Sequence, residues 1–441
     1  MFDNLIRFVK EKSDTYYYYS IAKDFETSFV DLNVLSIPID STDKPVKLSF
    51  EQVHDLPLEF LKNNQTANMM DNVIMFKIKL NSDDDVQKIS VKEYHKGRME
   101  PYPKVIRVYE QQKVEVFDSK YYLSLYPTQE CTCVYYVRGN DVHYKSQEPS
   151  DEYDDRVQYG PYKNVKPLTF DHIQLMFTFK FPLPTFTEAK RDIYVSHWGN
   201  IAVDEYFNIH NDAAGINGQF SRVDYQPHIN PNHGANAITT IGTELPSYIH
   251  GLYYYDYIGN ISTSHAKREE NHVEFEIEFR FPLFGQWKTD WNQGYNMPSQ
   301  YHLYKDMSND QLHTLEIPFM HAYDDSLTED YQFKVILPEG ATDIQIELPS
   351  GLKDNVDSIE MGKFFGTLDF LGRPMITVNK KNAVYELVDD IVRVKYTFNN
   401  SSDFYLEPAY VFAMVFSLYL VAMFYSRMGL SLENKKVGGA Q

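Results

Sequence analysis

"NHVEFEIEFRF", Asn271–Phe281, decides the fold class. Val273, Phe275, Ile277, Phe279 and Phe281 fall on one side of an extended chain, and Glu274, Glu276, Glu278 and Arg280 on the other. A period of two separates these sets, where a helical period would mix them. One apolar and one wet face is the pattern of an antiparallel sheet packed on one side. The alternation recurs in "IQLMFTFKF" (Ile173, Leu175, Phe177, Phe179, Phe181) and in "IVRVKYTF" (Val392, Val394, Tyr396, Phe398). "YQFKVILPEGATDIQIEL" reads as a strand, a turn at Pro338–Gly340, and a strand with Ile344, Ile346 and Leu348 inward.

Composition agrees. The chain of 441 residues is 15% aromatic, with 35 Tyr and 29 Phe, residue types that favour strands. Turn signals recur at Tyr159-Gly160-Pro161, Gly215–Gly218, Pro231–Gly234, Gly285 and Gly372–Pro374. Many strands joined by short turns indicate sandwiches or barrels. "FPLPTFTEAKRD", Phe181–Asp192, interrupts strand pairing with prolines and then turns polar. The expected architecture is mainly β: two tandem β-sandwich-like domains, residues 1–188 and 189–405, then one transmembrane helix at 406–426 and a short tail, 427–441.

The helix rests on "AYVFAMVFSLYLVAMFY", Ala409–Tyr425, which carries no charge. At 1.5 Å per residue it reaches about 26 Å, short for a span but suited to a thin bilayer of about 27 Å. Pro408 can start it, and Tyr410 and Tyr425 sit at the two interfaces. Asp403 and Glu407 precede it, while Arg427, Lys435 and Lys436 follow, so the positive-inside rule makes the tail cytoplasmic. The bulk is then lumenal or extracellular. "MFDNLIRFVKEKSDTYYYY" supplies no apolar leader core, so the expectation is that a leader precedes the given start or that the start is misplaced.

The residues offer little chemistry. A net charge of −20 argues against a nucleic-acid partner. Cys131 and Cys133 are the two cysteines, placed for neither easy bridging nor structural zinc. His228 and His233, with His210 and His250 further off, follow no metal-ligand spacing and read as loop or surface histidines. "SDDDV" (Ser82–Val86) and "DEYDDR" (Asp151–Arg156) read as solvated loops. There is no nucleophile elbow or phosphate loop. No catalytic residue, metal or cofactor is expected. The tyrosine runs Tyr16–Tyr19 and Tyr253–Tyr255 fit inter-strand pairs, or exposed rings that stack on sugars or on a passing polypeptide. Sequons lie at Asn64, Asn260, Asn399 and Asn400, Asn260 being best placed because it follows Gly259 at a turn. "RDIYVSHWGNIAVDEY", Arg191–Tyr206, reads as two strands around a tight turn at Gly199-Asn200, with Trp198 in the second domain's core or at its junction with the first.

A set of motifs, taken together, resembles the ribophorin I family of oligosaccharyltransferase subunits. They are "VSHWGNIAVDE" (Val195–Glu205, with Trp198, Gly199 and Asn200), "FSRVDYQ" (Phe220–Gln226), "IGNISTSH" (Ile258–His265), "RFPLFGQWKT" (Arg280–Thr289, with Trp287), "ILPEGA" (Ile336–Ala341) and "LGRP" (Leu371–Pro374). "YGPY" (Tyr159–Tyr162) and "SLYPT" (Ser124–Thr128) are similar too. They run in the family's order from about residue 95 to the span, while the first ninety residues match poorly. The resemblance implies a single-pass type I protein of the endoplasmic reticulum membrane with two lumenal β domains. It implies a non-catalytic role in N-glycosylation, bracing a multi-spanning catalytic subunit and helping to present nascent polypeptide acceptors. Partners are then that subunit, other subunits of the complex and the bilayer. The vertebrate proteins continue into a cytosolic helical domain linked to ribosome contact, and that role is not carried over to a chain ending at Gln441. The competing readings are a single-pass receptor or lectin-like protein and a metal-dependent hydrolase on a β scaffold.

Overall fold

The computed structural model describes residues 2–9, 16–25, 29–37, 46–53, 73–80 and 86–427, apart from 109, 138–140, 154, 221–224, 226–235, 262–263, 325, 354–355, 368, 370, 386, 388–389 and 400–404. Strands dominate, and one apolar helix, Leu406–Arg427, follows them. The sheets face one another across apolar clusters in a β-sandwich-like arrangement, as the alternation predicts.

The first part of the chain holds two such arrangements. Four strands (Phe2–Val9, Val86–His95, Phe29–Ile37, Val46–Lys47) and three more (Tyr16–Ala22, Val73–Lys79, Phe50–Val53) share a core of Tyr19, Val34, Ile78, Ile89 and Val91. The second, built from strands between Met99 and Thr178, closes on Val114, Val157, Tyr159, Ile173 and Leu175. The Tyr16–Tyr19 run behaves as alternation requires, with Tyr17 and Tyr19 buried and Tyr16 exposed.

The rest is organised by one seven-stranded sheet, in the order His250–Tyr255, Lys288–Pro298, Asn200–Asn211, Pro184–Ser196, Leu327–Ile336, Arg373–Val384, Ser358–Phe364. Its neighbours are antiparallel except Pro184–Ser196 with Leu327–Ile336, which run parallel. Two smaller sheets cover one face. One supplies Val273, Phe275 and Ile277, and the other Leu315, Ile317, Val392, Val394 and Tyr396. The apolar set of the opening stretch therefore forms core through Ile277, while Phe281 emerges 42% exposed.

The hairpin at the heart of this sheet corrects two expectations. Ser196 pairs directly with Asn200, so the connection is His197-Trp198-Gly199 and Asn200 already belongs to the second strand. Gly199 takes the last loop position at φ +97°, a conformation that side chains with a Cβ resist. Trp198 was expected in the core or at the junction. It sits at the loop tip, 57% exposed, because a three-residue loop carries its middle residue beyond the end of the sandwich. The tryptophan in the core is Trp291, at 1% exposure, ringed by Phe186, Phe207, Phe279 and Tyr323. Trp287 lies between them in character, partly buried against Phe220, Phe281 and Phe284.

Candidate functional site

A buried network of polar side chains lies inside the sandwich. Arg191 and Glu205 are a directly opposed cross-strand pair, and Glu205 is opposed in turn by Gln293 on the next strand. All three point into the covered face because they share the phase of Ile193, Val203 and Tyr295. Arg191 Nη1 donates to Glu205 Oε1 at 2.8 Å and to the Met320 carbonyl at 3.2 Å. Gln293 Nε2 donates to Glu205 Oε2 at 2.8 Å, and its own Oε1 accepts from Trp291 Nε1 (3.0 Å) and the Tyr323 hydroxyl (2.6 Å). Burial pushes the Tyr295 and Tyr323 phenols well up. A buried network of this kind ties strands together, and its opposite charges are paired where they stand.

One histidine is buried beside it, and a second, half-buried, lies in the hairpin loop. His321 is fully enclosed, with Nε2 on Thr328 Oγ1 at 3.0 Å and Nδ1 accepting from the Tyr323 amide at 3.3 Å. Burial, with Arg191 nearby, lowers it to about 3. His197, in the hairpin loop, bonds the Tyr396 hydroxyl at 2.9 Å, stacks on Phe398 at 4.1 Å, and is held at about 4 by burial and by His313. Depressed histidine pKa values mean that the unfolded chain binds more protons below pH 6.5. Stability is therefore complete above about pH 6.5 and is lost as pH falls toward these native values. For His321 the loss is about 1.4 kcal/mol per pH unit, so about 2 kcal/mol at pH 5. Thermal unfolding at pH 7 and pH 5 checks this. His321→Gln is expected to flatten the acid slope, and an unchanged slope would remove His321 as its cause.

The other residues singled out by sequence are scattered. Among the described residues no group of three His, Cys, Asp or Glu side chains is placed to hold a metal. His210 bonds Asp212 at 2.8 Å, and His228 and His233 lie outside the described residues. Cys131 is buried, Cys133 is half-buried, and both are free thiols. Asp151–Tyr153, expected in a loop, is a short exposed strand paired with Arg156–Val165; Ser82–Asp85 lie outside the described residues.

Of the sequons, Asn64 and Asn400 lie outside the described residues and Asn399 is half-buried. Asn260 is exposed, at the foot of a tight hairpin. There Asp256 and Gly259 exchange backbone hydrogen bonds at 3.0 and 3.1 Å. Arg280 clamps this turn, binding the Asp256 carboxylate and donating to the Gly259 and Asn260 carbonyls, each at 3.1 Å. Tyr253 and Tyr255, on the neighbouring edge strand, are 40% and 42% exposed.

The helix Leu406–Arg427 contains the 20-residue apolar segment Pro408–Arg427, of mean hydropathy 1.8. None of that segment's most apolar window is buried by protein, so its length and composition suit a membrane.

Comparison with known proteins places this architecture. The family profile described as Ribophorin I matches residues 5–426. Dolichyl-diphosphooligosaccharide–protein glycosyltransferase subunit 1A of Arabidopsis thaliana is 32% identical over 76% of this chain and 53% of its own length. Subunit 1 of the same enzyme from Caenorhabditis elegans is 33% identical over 78% of this chain and 57% of its own. The chain thus spans about half the length of these curated relatives. Among solved structures, an M1 zinc metallopeptidase from Deinococcus radiodurans overlaps 48% of this chain and 42% of its own, at 10% identity and a TM-score of 0.27. A similarity of that size carries neither fold nor activity across.

Proposed function

The chain belongs to the ribophorin I family, and from that premise we propose that it is a non-catalytic, single-pass subunit of the oligosaccharyltransferase complex. In this reading its β regions stand in the lumen of the endoplasmic reticulum; the expected boundary between 1–188 and 189–405 falls inside the strand Pro184–Ser196, so the long-sheet region starts at Pro184. The β regions brace the subunit that transfers oligosaccharide from dolichyl diphosphate to asparagine, and they help to present the acceptor polypeptide. The observation that carries the proposal is the family match over residues 5–426, which takes in the first ninety residues, where the motifs match poorly, and reaches the apolar helix. The names of the relatives supply the complex. The charge flanks of the span support a lumenal bulk and a cytoplasmic tail. The buried Arg191–Glu205–Gln293 network supports an architectural role, since its polar groups hold three adjacent strands together. Asn260, exposed and conformationally clamped, is the leading glycan acceptor of the chain itself, ahead of Asn64 and Asn399. The loop His197-Trp198-Gly199 reverses the chain between the two central strands, and Trp287 packs against Phe220, Phe281 and Phe284.

Gentle detergent extraction through a C-terminal tag tests this. The expected eluate contains a multi-spanning partner and transfers oligosaccharide to an Asn-x-Thr peptide. A lone, inactive protein carrying Golgi-processed glycans would contradict the proposal and favour a single-pass receptor.

A further inference from the structure

The outer edge of the long sheet carries an aromatic surface whose construction is specific. Tyr253 pairs with Gly294, and Gly294 is flanked on its other side by Asp204. Any Cβ at Gly294 would collide with the Tyr253 ring. The glycine therefore lets that ring lie across the sheet until its hydroxyl reaches the Asp204 carboxylate. Tyr255, two residues on, stands parallel to it, with ring centroids 6.2 Å apart and planes 18° apart. Both rings keep one side in solvent.

The same edge places a sequon beside these rings. Asn260 forms an antiparallel bridge with Tyr255. Because Asp256 and Gly259 exchange the flanking hydrogen bonds, Tyr255 and Asn260 are a non-hydrogen-bonded pair, the type whose side chains stand closest and on one face. The Arg280 clamp on the Asp256, Gly259 and Asn260 backbone holds that direction. A pyranose attached to the Asn260 amide thus starts next to the Tyr255 ring, with Tyr253 following along the strand. The C–H faces of pyranoses stack on aromatic faces, and the neighbouring polar groups (Asp204, Asn292, Asn296) suit hydroxyl ligands.

We propose that an N-glycan carried on Asn260 folds back onto the ring faces of Tyr255 and Tyr253, covering the outer edge of the long sheet. The inference rests on the lumenal placement given under Proposed function. It also assigns these tyrosines a ligand within the same chain. An edge strand left bare invites pairing with other chains, and a seated glycan removes that hazard.

The test uses the full chain purified from glycosylating eukaryotic cells. Glycopeptide mapping reads occupancy at Asn260, and a time course with an amidase that releases N-glycans is followed on native and denatured protein. Native release is expected to be roughly 2- to 10-fold faster in Tyr255→Ala than in the parent, the range one ring stack supports. Tyr255→Phe is expected to keep the parent's slow release, and all denatured samples to react alike. Equal native rates in parent and Tyr255→Ala overturn the inference, as does an unoccupied Asn260. Protease protection in sealed microsomes then separates the two failures. A protected bulk with bare Asn260 defeats this inference alone, whereas a digested bulk defeats the lumenal reading as well.

Discussion

Glu205→Ala is expected to destabilise the protein by about 3–5 kcal/mol, the cost of leaving a buried charge without its partner. Arg191 would lose the carboxylate 2.8 Å from Nη1 and keep only the Met320 carbonyl and the more distant Tyr295 hydroxyl at 3.4 Å. Gln293 would lose an acceptor at the same time. No water can replace the carboxylate without opening the sandwich, because Arg191 and Glu205 are 5% and 3% exposed. The double change Arg191→Met with Glu205→Leu removes both charges and keeps volume. It is expected to recover most of the loss, since an apolar pair of similar size often replaces a buried ion pair without penalty. Denaturant titration of the full chain in detergent, read by tryptophan fluorescence, measures both. A single-variant loss below about 1 kcal/mol would mean that the network bears no such weight.

Trp291→Ala is the second large effect, also about 3–5 kcal/mol, because the ring fills the centre of the largest core and the cavity cannot close fully. Its indole N–H is bonded to Gln293 at 3.0 Å, so the change also loosens the polar network. Trp198→Ala is the matched control. At the exposed loop tip it is expected to stay within about 0.5 kcal/mol of the parent. Equal losses in the two variants would contradict the placement of both tryptophans.

These two sites also mark where the sequence was hard to read. Strand alternation is local, so Val273–Ile277 and Val392–Phe398 declared their buried face correctly. The same pattern could not say where the covering sheet ends, which is why Phe281 emerges into solvent. Trp291 is hard to pick out as core because Asp290, Asn292 and Gln293 surround it with polar residues. The phase Trp291-Gln293-Tyr295-Met297 was the available signal. Arg191 and Glu205 are charged, and charge alone does not mark a residue as buried. Counting outward from the Ser196–Asn200 pair sets them opposite each other, but that register needs the loop length, which placing the turn at Gly199-Asn200 missed. The membrane helix was legible because an uncharged run long enough to cross a bilayer is a property of composition alone. The partnership of Tyr255 with Asn260 was not, since it depends on a hairpin turn and on a ring lying across Gly294.

In the proposed role this chain holds a catalytic assembly together without taking part in its chemistry. The most direct measurement is oligosaccharide transfer per assembled complex, set beside the amount of complex recovered, for the parent and for Trp291→Ala. Less recovered complex is expected in the variant, with an unchanged turnover for each complex that does assemble. Normal recovery with turnover lost would place this chain in the chemistry itself and contradict a purely architectural role.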